Sequence, residues 1–397
     1  MDEVDRSLAA LERAGLRRRL RAVSGAQGPR VRLDEAEVLL LCSNNYLGLA
    51  DHPRVRRAAA EAAERYGAGA GASRLISGDM ELHRALEKRL AAFKGTEAAL
   101  LFGSGYLANL GIVSALAAEG GVVCSDELNH ASIIDGCRLA RAETFVYRHR
   151  DVEHLAWGLE QAKGRSSLIV TDGVFSMDGD VAPLPAIAEV ARRYGSRMMV
   201  DEAHGTGAIG PGGRGTVAAA GLEGQVDVVV GTLGKALGSY GAYACTSARM
   251  RELLINRARP FIYSTAPPPP SVGAALAALT LLESRPGVVE HLRRNAAVMR
   301  QALGAYDLDV ADSRTQIVPV MVGDARRAVA LCERALDGGV FAQAIRPPTV
   351  PEGTSRLRLT VMANHRADEL QAAARVIGRA ARDLGIARGQ AHLSQAA

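Results

Sequence analysis

The 397-residue sequence predicts an α/β fold, with a large domain on a mainly parallel sheet and a smaller α+β domain after it. Three features point there. From about residue 53 to 280, helical apolar spacing alternates with short β-branched runs. Several of those runs end in polar residues, at the strand ends where open α/β sheets bind ligands. Near residue 285 the pattern changes to shorter strands among amphipathic helices. The expected segments are an N-terminal arm over 1–52, the large domain over 53–284 and the small domain over 285–397.

Residues 1–24 are charged, with apolar positions at Leu8, Leu11 and Leu16, and read as an amphipathic arm. Its basic run, Arg17, Arg18, Arg19 and Arg21, reads either as a solvated face or as an anionic-substrate contact. A helix with Leu82, Leu86, Leu90 and Phe93 ends at Gly95, a strand follows over 98–102, and Gly103–Tyr106 opens another helix. Free amides at such an opening can bind phosphate. Residues 167–172 read as a buried strand, and Pro183 opens a helix that Gly195 ends. Further strands are expected over 197–202 and 227–232. Four prolines at 267–270 interrupt the pattern before a helical stretch at 271–284. The last part predicts strands at 315–322, 340–345 and 356–361, with helices at 325–337 and 366–384.

Composition narrows the function classes. Hydrophobic residues at 48% and charged ones at 23% are those of an ordinary globular chain. The net charge of +5 over this length predicts no broad basic face, and 4% aromatics leave few stacking platforms for single-stranded nucleic acid. Five widely spaced cysteines without a C-x-x-C pair suggest neither zinc nor a disulfide framework, so no metal is expected. The N-terminus has no signal-peptide pattern and no run of about 18 apolar residues occurs, so a cytoplasmic protein is expected, with neither membrane nor nucleic acid as partner.

Val200-Asp-Glu-Ala-His204 spells a helicase-type box, yet no phosphate loop accompanies it, because Gly234-Lys235 is followed by Ala236. The glycine run 67–78 follows a helical pattern and not a strand, which argues against a nicotinamide-dependent oxidoreductase. Lys235 is more informative. It follows an apolar strand between glycines, 34 positions after Asp201, itself at a strand end. A lysine that forms a Schiff base and a carboxylate that keeps a pyridine nitrogen protonated make a pyridoxal phosphate site. His204 then suits the cofactor's phenolic oxygen, and His130 suits a position over the ring.

With these residues in place, the chain resembles the α-oxoamine synthases, pyridoxal phosphate enzymes of fold type I. They condense an amino acid with an acyl thioester and release carbon dioxide. The resemblance runs nearly end to end and is carried by Ser43-Asn-Asn-Tyr-Leu-Gly-Leu49, Gly69-Ala-Gly-Ala-Ser-Arg-Leu-Ile-Ser-Gly78, Thr171-Asp-Gly-Val-Phe-Ser-Met-Asp-Gly179, Val200-Asp-Glu-Ala-His-Gly-Thr-Gly207 and Thr232-Leu-Gly-Lys235. Within the family, Ala344-Ile-Arg-Pro-Pro-Thr-Val-Pro351 and Gly353-Thr-Ser-Arg-Leu-Arg-Leu-Thr360 look most like the members that join L-alanine to a pimeloyl group. Relatives using glycine or serine with other acyl-CoA substrates are the alternative. A nicotinamide oxidoreductase and a non-catalytic subunit are the remote ones.

The resemblance implies that Lys235 is the Schiff-base lysine, Asp201 the partner of the ring nitrogen, His204 that of the phenolic oxygen and His130 the stacking ring. It also implies cofactor contacts from Gly105, Tyr106, Ser176 and Thr232. Ser264 and Thr265 are implied to reach the phosphate of a neighbouring subunit, making a homodimer with shared sites. Arg358 with Asn44 is implied to hold the amino-acid carboxylate, Arg346 and Thr349 to line the substrate pocket together with His130, and Arg17 to lie near the acyl substrate. Two positions depart from the common pattern: Asn45 stands where Asp is usual, and Tyr106 where Phe is frequent.

Overall fold

A computed structural model describes residues 2–386, so Met1 and residues 387–397, the outer ends of the segments expected at 1–52 and 285–397, lie outside the described residues. The chain divides into two compact units. The first contains residues 2–48, 177–180 and 290–386, and the second contains 49–176 and 181–289.

The second unit is built on a seven-stranded sheet. Its strands in chain order are β1 (Ala98–Phe102), β2 (Val122–Asp126), β3 (Glu143–Tyr147), β4 (Ser167–Asp172), β5 (Arg197–Asp201), β6 (Val228–Thr232) and β7 (Ala242–Thr246). In space they run β1-β7-β6-β5-β4-β2-β3. Only β7 is antiparallel to its neighbours, which fits the mainly parallel sheet expected. Strands buried on both faces read as continuous apolar runs, and β2, β4, β5 and β6 do so. The core under the sheet includes Leu100, Phe102, Ile112, Ile133, Met199 and Val230. Truncating Ile112 or Ile133 to Ala removes about 2–5 kcal/mol of stability.

The expected crossover is present as helix Leu184–Tyr194, with Pro183 at its N-cap and Gly195 in the left-handed conformation at its end. The proline run departs from expectation. Pro269 and Pro270 lie inside the first turn of helix Pro269–Ser284, where a missing N–H costs nothing. His204 lies in the turn that follows β5, closed by Gly205 N–H and Thr206 N–H donating to the Glu202 carbonyl.

The first unit contains two small sheets. One pairs Arg30–Leu33 with Ala36–Leu40 and adds Val340–Phe341 in parallel. The other pairs Ile317–Gly323 and Gln343–Ile345 with Ser355–Thr360. The single strand expected at 340–345 is therefore two, divided at Ala342 between different sheets. Helix Gly287–Gly304, not foreseen, buries Leu292, Ala296, Met299 and Leu303 at helical spacing. The arm forms helix Glu3–Arg13, capped by Asp2 through a capping box. The five cysteines are unpaired, and burial pushes the Cys42, Cys124 and Cys245 thiols up to about 12 and Cys137 to about 11. Among the described residues there is no cluster suited to a metal ion and no single helix long and apolar enough to cross a membrane.

Candidate active site

The parallel strands β4, β5 and β6 of the second unit end together, and their ends carry Asp172, Asp201 and Thr232. Asp172 and Asp201 are register partners on adjacent strands, and both are buried. Asp201 accepts two N–H donors, Asn109 Nδ2 at 2.6 Å and Ala203 N at 2.7 Å, one on each oxygen. Both carboxylate oxygens are thus satisfied, as burial of a charge requires. Asp172 differs. Burial first, and the Asp201 charge second, push its carboxyl well above the usual carboxylate range, opposed by the His130 N–H that donates to Asp172 Oδ2 at 2.8 Å.

Lys235 follows β6 in a turn anchored by the fully buried Leu233 and Leu237 and the buried Ala236. Its Nζ lies 2.7 Å from His204 Nε2. Gly238 closes the turn at φ 59°, and its N–H donates to the Lys235 carbonyl. A Cβ there would come within 2.4 Å of the Ala50 amide nitrogen, so both conformation and space demand glycine. Thr232 Oγ1 donates to the Gly241 carbonyl and accepts from Gly234 N–H, which fixes the backbone just before the lysine.

Helix Gly105–Leu116 starts directly after β1, with Ser104 as its N-cap accepting from Leu107 N–H. First-turn amides such as those of Gly105 and Tyr106 have no intrahelical acceptor and bind anions readily. A Cβ on Gly105 would first meet Thr232, 4.0 Å away, so there is open space between helix start and strand end. Tyr106 keeps its ring edge-on to His130, centroids 6.5 Å apart, and its hydroxyl donates to Asp135. His130 caps helix Ala131–Leu139. Burial lowers its pKa first; the Asp201 charge opposes this and the Lys235 charge reinforces it.

An amine, a carboxylate, two imidazoles and a helix N-terminus around the ends of adjacent strands are the groups that pyridoxal phosphate needs for its aldehyde, ring nitrogen, phenolic oxygen and phosphate. The residues fit the cofactor. Ser176 is half-buried at the end of the stretch that follows β4. Ser264 and Thr265 lie in another segment, where Thr265 bridges Ser73. Two buried residues of this site were not anticipated, Asn109 and Ser132. The signal for Asn109 was an asparagine inside the otherwise apolar Leu107-Ala-Asn-Leu-Gly-Ile-Val113, one turn beyond Gly105.

In the first unit the expected residues form two groups. Arg358, buried on strand Ser355–Thr360, donates through Nη1 and Nη2 to Asn44 Oδ1 at 3.4 and 3.3 Å. Tyr46 Oη donates to the same oxygen at 3.0 Å. Asn45 turns instead to the Gln27 carbonyl, so its missing charge leaves the Asn44 contact intact. In the other group Arg346 donates to the carbonyls of Gly15 and Arg17, and Thr349 N–H donates to the Arg346 carbonyl. Arg17, Arg19, Arg21, Arg326 and Arg346 line a cavity of about 520 Å³ with Glu12 and Glu333. Arg17 and Arg19 pair with Glu12, and Arg21 with Glu333.

Comparison with known proteins gives these groups a family. Residues 36–377 match the family described as aminotransferase class I and II. The chain is 55% identical to the 8-amino-7-oxononanoate synthase of Geobacter sulfurreducens over 96% of its length and 98% of that protein's. It is 52% identical to the synthase of Anaeromyxobacter dehalogenans over 93% of each chain. Among solved structures, a serine palmitoyltransferase from S. paucimobilis with a bound PLP-myriocin aldimine superposes with a TM-score of 0.92 at 34% identity, covering 97% of this chain and 98% of the other. An 8-amino-7-oxononanoate synthase from Francisella tularensis gives 0.76 at 29% identity, covering 87% and 98%. The two kinds of likeness rank these relatives differently. Backbone similarity is shared by enzymes of different substrates, so sequence identity over the whole chain carries more weight. The chain belongs to the 8-amino-7-oxononanoate synthases, pyridoxal-phosphate-dependent transferases of fold type I within the class I and II aminotransferase family.

Proposed function

We propose that this chain joins L-alanine to the pimeloyl group of a thioester, on coenzyme A or a carrier protein, giving 8-amino-7-oxononanoate, carbon dioxide and the free thiol. The observation that carries the reading is the Lys235–His204 contact of 2.7 Å beside the buried, doubly hydrogen-bonded Asp201, in a chain so similar to named synthases. Pyridoxal phosphate, when bound, supplies an electron sink for the bonds broken at the amino-acid α-carbon.

The chain's own residues do the rest. Lys235 Nζ would hold the cofactor's aldehyde carbon and, when free of it, would take the α-proton and later return one. Asp201 keeps the ring nitrogen protonated, its position set by Asn109 and Ala203. His204 would hold the phenolic oxygen, and the His130 ring would lie against the cofactor ring. Gly105, Tyr106, Ser176 and Thr232 would complete the cofactor's contacts, with the free amides of Gly105 and Tyr106 suited to its phosphate. Ser264 and Thr265 would reach the phosphate in a second copy, so the working unit is a homodimer; its setting in this reading is the cytoplasm. Arg358, already aligned by Asn44, offers two parallel donors to the amino-acid carboxylate. Arg346 and Thr349 line the substrate pocket, and Arg17 lies near the acyl substrate.

The test is to incubate the protein with pimeloyl-CoA and, separately, L-alanine, glycine or L-serine, following thiol release and product mass. Alanine-dependent formation of 8-amino-7-oxononanoate is expected. Turnover with glycine or serine alone would overturn the substrate assignment.

A further inference from the structure

Behind the lysine cluster a buried hydrogen-bond chain joins Asp201 to His130 through two side chains with no assigned role. Asn109 Nδ2 donates to Asp201 Oδ2 at 2.6 Å and to Ser132 Oγ at 2.9 Å, which spends both protons of the amide. The reverse amide orientation would aim its oxygen at a carboxylate, so the Asp201 charge fixes which way Asn109 faces. Ser132 Oγ, having accepted there, has one proton left, and His130 Nδ1 lies 2.7 Å away. The Ser132 backbone N–H donates to the same nitrogen at 3.2 Å. With two donors aimed at it, Nδ1 is an acceptor, and the imidazole proton resides on Nε2.

We propose that Asn109 and Ser132 are positioning residues that couple Asp201 to His130, holding the imidazole neutral with its proton on Nε2. The inference rests on the reading of this site as the cofactor site and adds two residues to it. Burial makes the coupling strong, since Asn109 is 1% exposed and Ser132 fully buried. An observation separate from the chain points the same way. Asn109 Oδ1 is buried without a hydrogen-bond partner. An apolar side chain would pack in an apolar helix without that orphaned acceptor, so the amide is retained for what its nitrogen holds. The charged and titratable groups facing His130 are Asp201, Lys235, Asp172 through the His130 N–H, and Tyr106 at the ring edge. Neutrality of the ring leaves Asp201 as the charged partner for the cofactor, and the Nε2–H is a directed donor.

The test is nitrogen-15 NMR of the histidine-labelled holoenzyme, with the His130 signals assigned by their loss in His130→Asn. Wild type should show Nδ1 in the unprotonated range and Nε2 in the protonated range. Ser132→Ala, which leaves only the longer backbone N–H contact on Nδ1, and Asn109→Leu should move both signals part of the way toward the average of the two tautomers, while Ser132→Thr should restore the wild-type pattern. Alongside, kcat/KM should fall by about 10–100-fold in Asn109→Leu, the usual scale for groups that orient a working residue. A wild-type enzyme with the proton on Nδ1, or tautomer signals unchanged in folded, cofactor-loaded Ser132→Ala, would overturn the proposal. If Asn109→Leu fails to fold, the Ser132 pair still decides. Failure of the wild type to bind pyridoxal phosphate at Lys235 would instead strike the functional reading, which the visible spectrum reports independently.

Discussion

The strand-end site of the second unit and the arginine-lined cavity of the first are built on opposite plans. At the strand ends Asp201, His204, Asn109 and Ser132 are all buried, and His130 is joined to Asp201 by hydrogen bonds. In the cavity Arg17 and Arg19 keep 44% and 76% of their side chains exposed, and their ion pairs with Glu12 are of the solvated kind worth about 0–1 kcal/mol. The contrast teaches where each task is placed. Groups that stabilise charge during bond breaking are preorganised away from water, where they act most strongly. Under the proposed function, the arginine that meets the acyl substrate sits instead on a solvated, ion-paired side chain.

Substitutions in the two regions should differ in effect. Lys235→Ala should have the largest effect, lowering turnover by about 10⁴-fold or more, as loss of a covalently acting group does. Thiol release measures it, and the melting temperature should stay close to wild type. Asp201→Asn should slow α-proton exchange by about 10²–10³-fold, because a neutral amide no longer holds a proton on the ring nitrogen. Exchange of deuterium into L-alanine measures this without any acyl donor. Arg358→Ala should raise KM for alanine about 10–100-fold by removing a charged bidentate contact. At the cavity, Arg17→Ala should raise KM for the acyl substrate by about tenfold or less, given its solvated position. If it cut α-proton exchange as deeply as Asp201→Asn, the proposed division of labour would be wrong.

His365 Nδ1 accepts from Met362 N–H and Nε2 donates to the Leu40 carbonyl. Burial pushes its pKa down to about 4 from 6.5. The unfolded chain therefore takes up a proton before the folded one does. The contribution of neutral His365 is fully present above pH 6.5 and is lost as pH falls toward 4, by about 3 kcal/mol in all. Urea midpoints between pH 7 and pH 4 should show the decline, and His365→Leu should flatten it.

Much of the strand-end site is legible in the sequence because its residues sit at the ends of short apolar runs. Asp201 and Lys235 stand out through the chemistry they share, and Pro183 and Gly195 mark the ends of a helix that the structure contains. What was not legible depends on approach in space. Asn109 lies 92 positions from Asp201, and no periodicity links them. The division of 340–345 at Ala342 follows from pairing with Ala36–Leu40 on one side and Ser355–Thr360 on the other. The prolines at 269 and 270 mislead because a residue that breaks a helix interior also starts one.

Under the proposed function, Lys235, in the turn after β6, is the residue that binds the cofactor covalently. Reducing the cofactor-loaded enzyme with borohydride and sequencing its peptides by mass spectrometry tests it directly. The account predicts a pyridoxyl group on Lys235, formed in wild type and absent when an excess of L-alanine is present during reduction. A label on another lysine, or none on a protein that still releases thiol, would contradict it.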